Sequence, residues 1–396
     1  MTEFSYFLPA NILFGIGRVA ETGIHAKRFG RKALIVTGTS SAKKSGLYDK
    51  VRKSLEDEGI ATVLFDKVQQ NPLTTTAEEG AALAVSEKCD VVVAAGGGSI
   101  IDCAKGIAFL AVNDGDISDY IFGRRESGNA LPVIAIPTTC GTGSEGNGFA
   151  VLTNPENGDK KSLRCPAILP KVSIVDPSCM MTMPPSVLSS VGFDALCHCI
   201  ESYTAKKSQP FCDALSSRAI SLLAEHLPAL YRHIKAGAAA TDESLLESWE
   251  AVSLASTIGG MSIGICGVTL SHGMEHPASG LRNIVHGRGL SAITPSVTDF
   301  TVRKLAEERG KNPAKEKFAR VSSLLGGGGI LDCAQKIREF IESLDLPENL
   351  GALGIEKADI PWMTENCLKV SAGNLANMCV DVKKDDIARI YVEAVG

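Results

Sequence analysis

The run Asp90-Val91-Val92-Val93-Ala94-Ala95 passes into Gly96-Gly97-Gly98 with no polar residue between them. A segment that is apolar at nearly every position cannot present one face to water. It must be a strand covered on both faces, as the inner strands of parallel sheets are. Pro132-Val133-Ile134-Ala135-Ile136 is another such run, and Ala33-Leu34-Ile35-Val36-Thr37 and Ala61-Thr62-Val63-Leu64-Phe65 also read as strands. Helical stretches separate them. One runs from about Lys43 to Glu58 and is ended by Gly59. After the turn at Asn71-Pro72, Thr76 can cap a second that reaches about Lys88. A third starts at Ser99. Strand–helix alternation of this kind predicts a parallel, doubly wound sheet.

The pattern changes near Met183-Pro184-Pro185. Beyond it the alternation of strands fades and long amphipathic segments follow, at about residues 186–206, 211–235, 242–263, 297–309 and 330–343, with a last helix from about Lys384. Leu215, Ala219, Leu222 and Leu223 fall at helical spacing. Gly326-Gly327-Gly328-Gly329 reads as a turn between helices, because no strand precedes it. A chain of 396 residues exceeds one ordinary core. The expectation is an α/β domain over residues 1–183 and an all-helical domain over 184–396.

Composition narrows the partners. The net charge of -5 leaves no basic surface for nucleic acid or anionic membrane. Residues 1–10 lack the cationic start and apolar run of a signal peptide, and no window reaches the length of a membrane span. The twelve cysteines are scattered singly in apolar surroundings, and Cys197 and Cys199 form only a C-x-C. Such cysteines read as reduced, buried thiols in a cytoplasmic protein.

Three clusters carry chemistry. Gly96 to Asp102 joins a buried strand to a helix start. Gly97 and Gly98 let backbone approach a bound group, and the helix N-terminus at Ser99 offers donors to a pyrophosphate. The plainer reading makes Ser99 an N-cap and Asp102 its N3 partner. Pro137-Thr138-Thr139-Cys140-Gly141-Thr142-Gly143-Ser144-Glu145 follows the next buried strand. Two such loops at the carboxyl ends of parallel strands mark where open α/β sheets bind ligands. The third cluster is built of histidines, of which the chain has seven. Asp194 and His198 stand at i and i+4 on one helix face. Ser271-His272-Gly273-Met274-Glu275-His276-Pro277 and Val285-His286-Gly287 add imidazoles. One carboxylate with three imidazoles suits a divalent first-row metal. Spacing leaves open whether His272 or His276 completes the set.

Over essentially its whole length the chain resembles the iron-containing (group III) alcohol dehydrogenases. The resemblance rests on Phe14-Gly15, Asn71-Pro72, the Gly96 to Asp102 loop, Pro137 to Glu145, Gly192-Phe193-Asp194-Ala195-Leu196-Cys197-His198 and Ser271 to Pro277. It implies a dehydroquinate synthase-like fold, with an α/β dinucleotide-binding domain before an all-α metal-binding domain. It also implies at least a homodimer, and Fe2+ or Zn2+ held by Asp194, His198, His272 and His286. His276 then stands near the nicotinamide as a proton handler. Lys161 matches the family's nucleotide-contacting lysine, and Gly38, Ser40, Ser41, Asn71, Gly97, Gly98, Ser99, Asp102, Thr138, Thr139 and Thr142 complete the expected cofactor site. Three positions depart from the family's common pattern: Gly38 where many members carry Asp, Ile263 where many carry Phe, and Gly146 where Val is common.

The activity implied is hydride transfer between NAD(P)(H) and a small primary alcohol or aldehyde. Gly38 removes the carboxylate that accepts from an adenosine ribose 2′-OH, while Lys43 or Lys44 can meet a 2′-phosphate. NADP(H) is therefore expected over NAD(H). Asn147, Phe149, Ile263 and Cys266 are the expected pocket wall, with no cation among them. Alternatives are a glycerol-type polyol dehydrogenase, a dehydroquinate synthase-like lyase and a non-catalytic metal- or nucleotide-binding protein. The lyase would need clustered cations for a multiply anionic substrate, and only Arg282 and Arg288 lie near the histidines.

Overall fold

The computed structural model describes residues 3–396. By the density of its contacts the chain forms two compact units, Leu8–Met183 and Pro184–Gly396, and residues 3–7 go with the second. Residues 3–7 were expected in the α/β domain; instead the Phe4 and Tyr6 rings pack on Phe211, with centroids 5.8 and 5.1 Å apart.

The first unit holds a six-stranded parallel sheet in the order β1-β8-β5-β4-β2-β3. The strands are β1 (Ile12–Phe14), β2 (Lys32–Gly38), β3 (Ala61–Val68), β4 (Val91–Gly96), β5 (Val133–Pro137) and β8 (Val172–Val175). The inner strands are buried at almost every residue, as their unbroken apolar runs require. Two layers cover them: one core gathers Leu34, Val92 and Ile107, the other Ile35, Val93 and Leu55. From β2 the chain goes outward to β3, then returns to place β4 on the other side of β2. The connections therefore diverge between the carboxyl ends of β2 and β4, and such a switch point opens a crevice for a ligand.

The helices of eight or more residues here are α1 (Leu47–Asp57), α2 (Thr74–Ser86) and α3 (Gly98–Leu110). The continuous helix expected at about 43–58 is interrupted. A four-residue turn, Ser41–Lys44, ends before Gly46, whose φ of 75° breaks the helix ahead of Leu47. The second helix starts at Thr74 rather than after Thr76. The Ser99 cap expected for the third does not form. Gly97 is the N-cap, and Asp102 turns both oxygens elsewhere: Oδ1 accepts from Ser144 Oγ at 2.5 Å and Oδ2 from the Val151 N–H at 3.0 Å. An antiparallel hairpin of β6 (Phe149–Thr153) and β7 (Lys160–Arg164) was not foreseen, because Lys160, Lys161 and Arg164 put three charges into the five residues of β7.

The second unit is helical, with no strand among the described residues. Its longer helices are α4 (Pro185–Thr204), α5 (Pro210–Lys235), α6 (Leu246–Cys266), α7 (Leu270–Arg282), α8 (His286–Glu307), α9 (Pro313–Leu324), α10 (Cys333–Glu342), α11 (Ile360–Val370) and α12 (Lys384–Val395). Sequence reading missed α7 because Pro277 lies inside it, and started α8 eleven residues late because Pro295 hides its first turns. Pro277 cannot donate to the Gly273 carbonyl. Ser371 Oγ does so instead at 2.9 Å, so the turn costs no unpaired acceptor. No single helix among the described residues is long and apolar enough to cross a membrane.

Lys105, fully buried in α3, is the fastening of the first unit. Its Nζ donates to Ser144 O, Ser144 Oγ and Phe149 O, each at 2.7 Å. Burial pushes its ammonium down to about 8. An unfolded lysine titrates near 10.4, so between these values the unfolded chain holds more protons and stability rises with pH. Urea unfolding of wild type and Lys105→Met across this range isolates the effect. The wild-type advantage should grow from pH 8 upward, by at most about 1.4 kcal/mol per pH unit. A flat or shrinking advantage would contradict the assignment.

Candidate functional site

In α4, Asp194, His198 and Glu201 stand at i, i+4 and i+7 and so share one helix face. The corner between α6 and α7 turns by 102° and brings the first turn of α7, with His272, against that face. His286 opens α8. A Cβ on Gly287 would lie 1.9 Å from the Ser190 carbonyl oxygen, so only glycine lets the start of α8 approach α4 this closely. Sequence-distant residues on three helices are thereby brought to one point.

That point is Asp194 Oδ1. His198 Nε2 lies 3.5 Å from it, His272 Nε2 3.4 Å and His286 Nε2 3.7 Å. These gaps are long for hydrogen bonds. They do match tetrahedral donors about 2.1 Å from a shared ion, which stand about 3.4 Å apart. Asp194, His198 and His272 are buried to within 5% of full enclosure, and Asp194 Oδ1 and His272 Nε2 have no hydrogen-bond partner among the described residues. Buried polar atoms left unpaired are costly, and a cation would satisfy both. The donor set thus fits a divalent metal.

Electrostatics divide the histidines of the cluster. Burial pushes His198 down to about 4, leaving its imidazole neutral as a ligand must be. Burial acts in the same sense on His272, but the Glu201 and Asp194 carboxylates outweigh it and lift that ring to about 10. Burial would raise Asp194, yet the three imidazoles hold its carboxyl well below the ordinary range. Glu201 Oε1 lies 2.6 Å from His272 Nδ1, and Glu275 Oε2 lies 2.5 Å from His286 Nδ1. Neither glutamate was singled out from the sequence. The i+7 spacing of Glu201 from Asp194 was the available signal; Glu275 gave none beyond its place beside His276. His276 is half-buried, with its ring centroid 6.4 Å from His272 and 5.8 Å from His286.

The expected nucleotide loops also meet. The Thr138 N–H donates to the Gly96 carbonyl at 3.1 Å. A Cβ on Gly98 would lie 2.3 Å from Thr142 Cγ2, and one on Gly97 3.1 Å from Thr139. Ser99 lies in the first turn of α3 beside them. Gly38 closes β2 across the switch point, and Ser40 and Ser41 are exposed just beyond it. Asn71 takes a left-handed conformation with φ of 50°. Pro72 next to it accepts from the Thr153 N–H of the hairpin that carries Lys161. Lys161 Nζ sits 5.3 Å from the Phe122 ring centroid. Lys43 is paired with the Asp66 carboxylate.

The expected pocket wall is divided between the units. In the first, Asn147 is buried and its Oδ1 accepts from the Phe149 N–H at 3.0 Å, while the Phe149 ring lies 4.7 Å beneath the Arg164 guanidinium. In the second, Ile263 and Cys266 are buried in α6, and the Cys266 carbonyl accepts from Asn377 Nδ2 at 2.8 Å. All twelve cysteines are free thiols.

Comparison with known proteins covers the whole chain. Residues 9–177 match the family described as iron-containing alcohol dehydrogenase. Residues 189–395 match the C-terminal part of the Fe-containing alcohol dehydrogenase family. The 1,3-propanediol dehydrogenase of Klebsiella pneumoniae is 33% identical over 401 residues, covering 99% of this chain and 98% of its own. The NAD-dependent methanol dehydrogenase of Bacillus methanolicus is 32% identical, covering 93% and 94%. Among solved structures, an archaeal halo-thermophilic alcohol dehydrogenase from a Red Sea brine pool superposes with a TM-score of 0.92 at 34% identity, and the match covers 100% of both chains.

Removing one of four donors should sharply lower metal occupancy. His272→Ala and His198→Ala are each expected to bind well under half the wild-type equivalent of metal by elemental analysis, with circular dichroism close to wild type. Full metal content in His272→Ala would remove it from the ligand set.

Proposed function

The chain belongs to the iron-containing alcohol dehydrogenase family, and from that premise we propose that it interconverts small, uncharged primary alcohols and their aldehydes, with NADP(H) preferred over NAD(H). Membership makes it an oxidoreductase acting on alcohols. The observation that carries the proposal is the convergence of three Nε2 atoms on the buried Asp194 Oδ1. Asp194, His198, His272 and His286 would hold one Fe2+ or Zn2+. Bound there, the metal supplies Lewis-acid polarisation of the alcohol or carbonyl oxygen.

The residues of the chain supply the rest. Asp194, His198 and His272 exclude water from most of the site through their burial, while His286 is partly exposed. His276, half-buried one helical turn beyond His272, is placed to hold or pass on the alcohol proton. Gly97, Gly98, Ser99, Thr138, Thr139 and Thr142 would receive the dinucleotide at the switch point, with Gly38, Ser40, Ser41, Asn71 and Lys161 toward its adenosine half. Asp102 would act on this site indirectly, by holding Ser144. Asn147, Phe149, Ile263 and Cys266 remain the proposed pocket wall. Arg282 is engaged by Asp359 at 3.0 and 2.9 Å, which leaves little charge for a multiply anionic substrate and disfavours the lyase alternative. Free cysteines throughout support a reducing, cytoplasmic setting; by family resemblance the enzyme would be at least a homodimer.

The NADP(H) preference rests on Gly38. No carboxylate stands there to repel a 2′-phosphate, and Lys44 has no ion pair among the described residues. A Cβ on Gly38 would meet nothing nearer than the Val68 carbonyl oxygen at 3.5 Å, so an aspartate fits without backbone strain. Reduction of a panel of aldehydes with each cofactor tests both parts. Short uncharged aldehydes should give the highest kcat/KM, with NADPH above NADH, and Gly38→Asp should reverse or erase the cofactor ratio at unchanged metal content. A wild-type preference for NADH, or for a dicarboxylate or phosphorylated substrate, would refute the corresponding part.

His276→Ala is expected to keep its metal while turnover falls by about 10²-fold or more and the pH profile changes. Loss of metal from this variant, with retention in His272→Ala, would exchange the two roles.

A further inference from the structure

One of the three converging imidazoles, His272, is hydrogen-bonded from behind through Nδ1; a second, His286, faces a carboxylate at close range, and the third has no such partner among the described residues. Glu201 Oε1 meets His272 Nδ1 at 2.6 Å, while its Oε2 accepts from Thr269 Oγ1 at 2.8 Å and from the Thr269 N–H at the head of α7. Glu275 Oε2 lies 2.5 Å from His286 Nδ1, an ion-pair approach without the alignment of a hydrogen bond, while its Oε1 accepts from the Ser279 hydroxyl one turn along α7. Both carboxylates are buried, at 3% and 0% exposure. His198 Nδ1 is buried with no partner among the described residues.

We propose that Glu201 and Glu275 are positioning residues, Glu201 holding His272 as its Nδ1–H tautomer through a hydrogen bond and Glu275 holding His286 by the charge of its close carboxylate, so that both Nε2 atoms face Asp194, and that this pair of braces sets how tightly the cation is retained. The inference rests on the reading that Asp194 and the three histidines hold the metal. A neutral imidazole carries one proton, so an acceptor fixed at Nδ1 leaves Nε2 as the donor to metal. The carboxylate also makes the ring more basic, and anchoring its second oxygen stops the ring from swinging. The two braces differ in a way that can be measured. Around Glu201 both neighbours are donors, so a glutamine there must turn its NH2 toward either His272 Nδ1–H or the Thr269 N–H. Around Glu275 the Ser279 hydroxyl can rotate and accept, so a glutamine there keeps the Ser279 contact and loses only the charge facing His286.

The test uses the full chain loaded with one equivalent of Co2+ or Zn2+ and titrated with a chromophoric chelator, in wild type, Glu201→Gln and Glu275→Gln. Dissociation constants should rise about 10- to 100-fold in Glu201→Gln and by less in Glu275→Gln. The d–d absorption of the Co2+ form should change in both. Melting temperatures of the metal-free chains should stay close together, which separates positioning from a general structural role. Glu275→Gln carries the test by itself if Glu201→Gln does not fold. If wild type binds one equivalent and the variants bind it as tightly, the braces do not set retention and the inference falls while the ligand assignment stands. If wild type binds no stoichiometric ion, the four-ligand reading falls and takes the inference with it.

Discussion

The helical unit depends on a problem posed by one oxygen. Asp194 Oδ1 lies in the interior without a hydrogen bond, facing three ring nitrogens at 3.4 to 3.7 Å. A buried carboxylate normally demands close donors or an opposite charge. Here the donors stop short at a distance that suits an ion and does not suit a proton. The arrangement is also costly to assemble, since it joins α4, α7 and α8 and requires glycine at the start of α8. Local choices that make little sense for stability alone become consistent once the point of convergence is taken as a metal site.

The α/β unit solves a different problem, which is to hold two flexible, glycine-rich loops in register without side chains to lock them. It does so from beneath. Lys105 takes both oxygens of Ser144 and the Phe149 carbonyl, and Ser144 passes the contact on to Asp102. The buried positive charge is thus linked through a hydroxyl to the partly buried Asp102 carboxylate, so neither is left unpaired. Thr142 joins that network by accepting from the Ser144 N–H at 3.2 Å, and Thr139 and Thr142 pack against Gly97 and Gly98. The loops can then be rigid and still offer backbone and hydroxyl groups to a ligand, which is what preorganised anion recognition requires.

Much of this was legible in the sequence because buried parallel strands and switch-point glycines leave unmistakable traces. The apolar runs located β2, β3, β4 and β5, and the Asp194–His198 spacing located the helix face on which the imidazoles converge. What escaped shares one cause: the decisive partner lay far away in sequence. The hairpin β6–β7 carries three charges in the five residues of β7, so no alternation announced it. The Pro277 turn looked like a helix break until Ser371, from another part of the chain, supplied the missing donor. Asp102 had the right position for a capping box, but Ser144 and Val151 outcompeted the local backbone for its oxygens. Residues 3–7 follow Phe211 into the other unit for an equally nonlocal reason.

The choice between His272 and His276 shows where pattern ends and geometry begins. Both lie on α7 four residues apart, so helix periodicity puts them on one face and cannot rank them. Depth ranks them. His272 sits in the first turn, where Thr269 and Glu201 fasten the head of α7 against α4, and its Nε2 reaches Asp194 at 3.4 Å. His276 lies one turn further from that anchor, half-buried, and its ring faces His286 at 5.8 Å. A ligand must be held rigidly and kept from solvent, whereas a group that exchanges protons must keep a route to it. On the proposed roles, the same helix would meet both demands by presenting one imidazole at its fixed end and the other a turn away, and the division of labour would follow from where α7 is pinned.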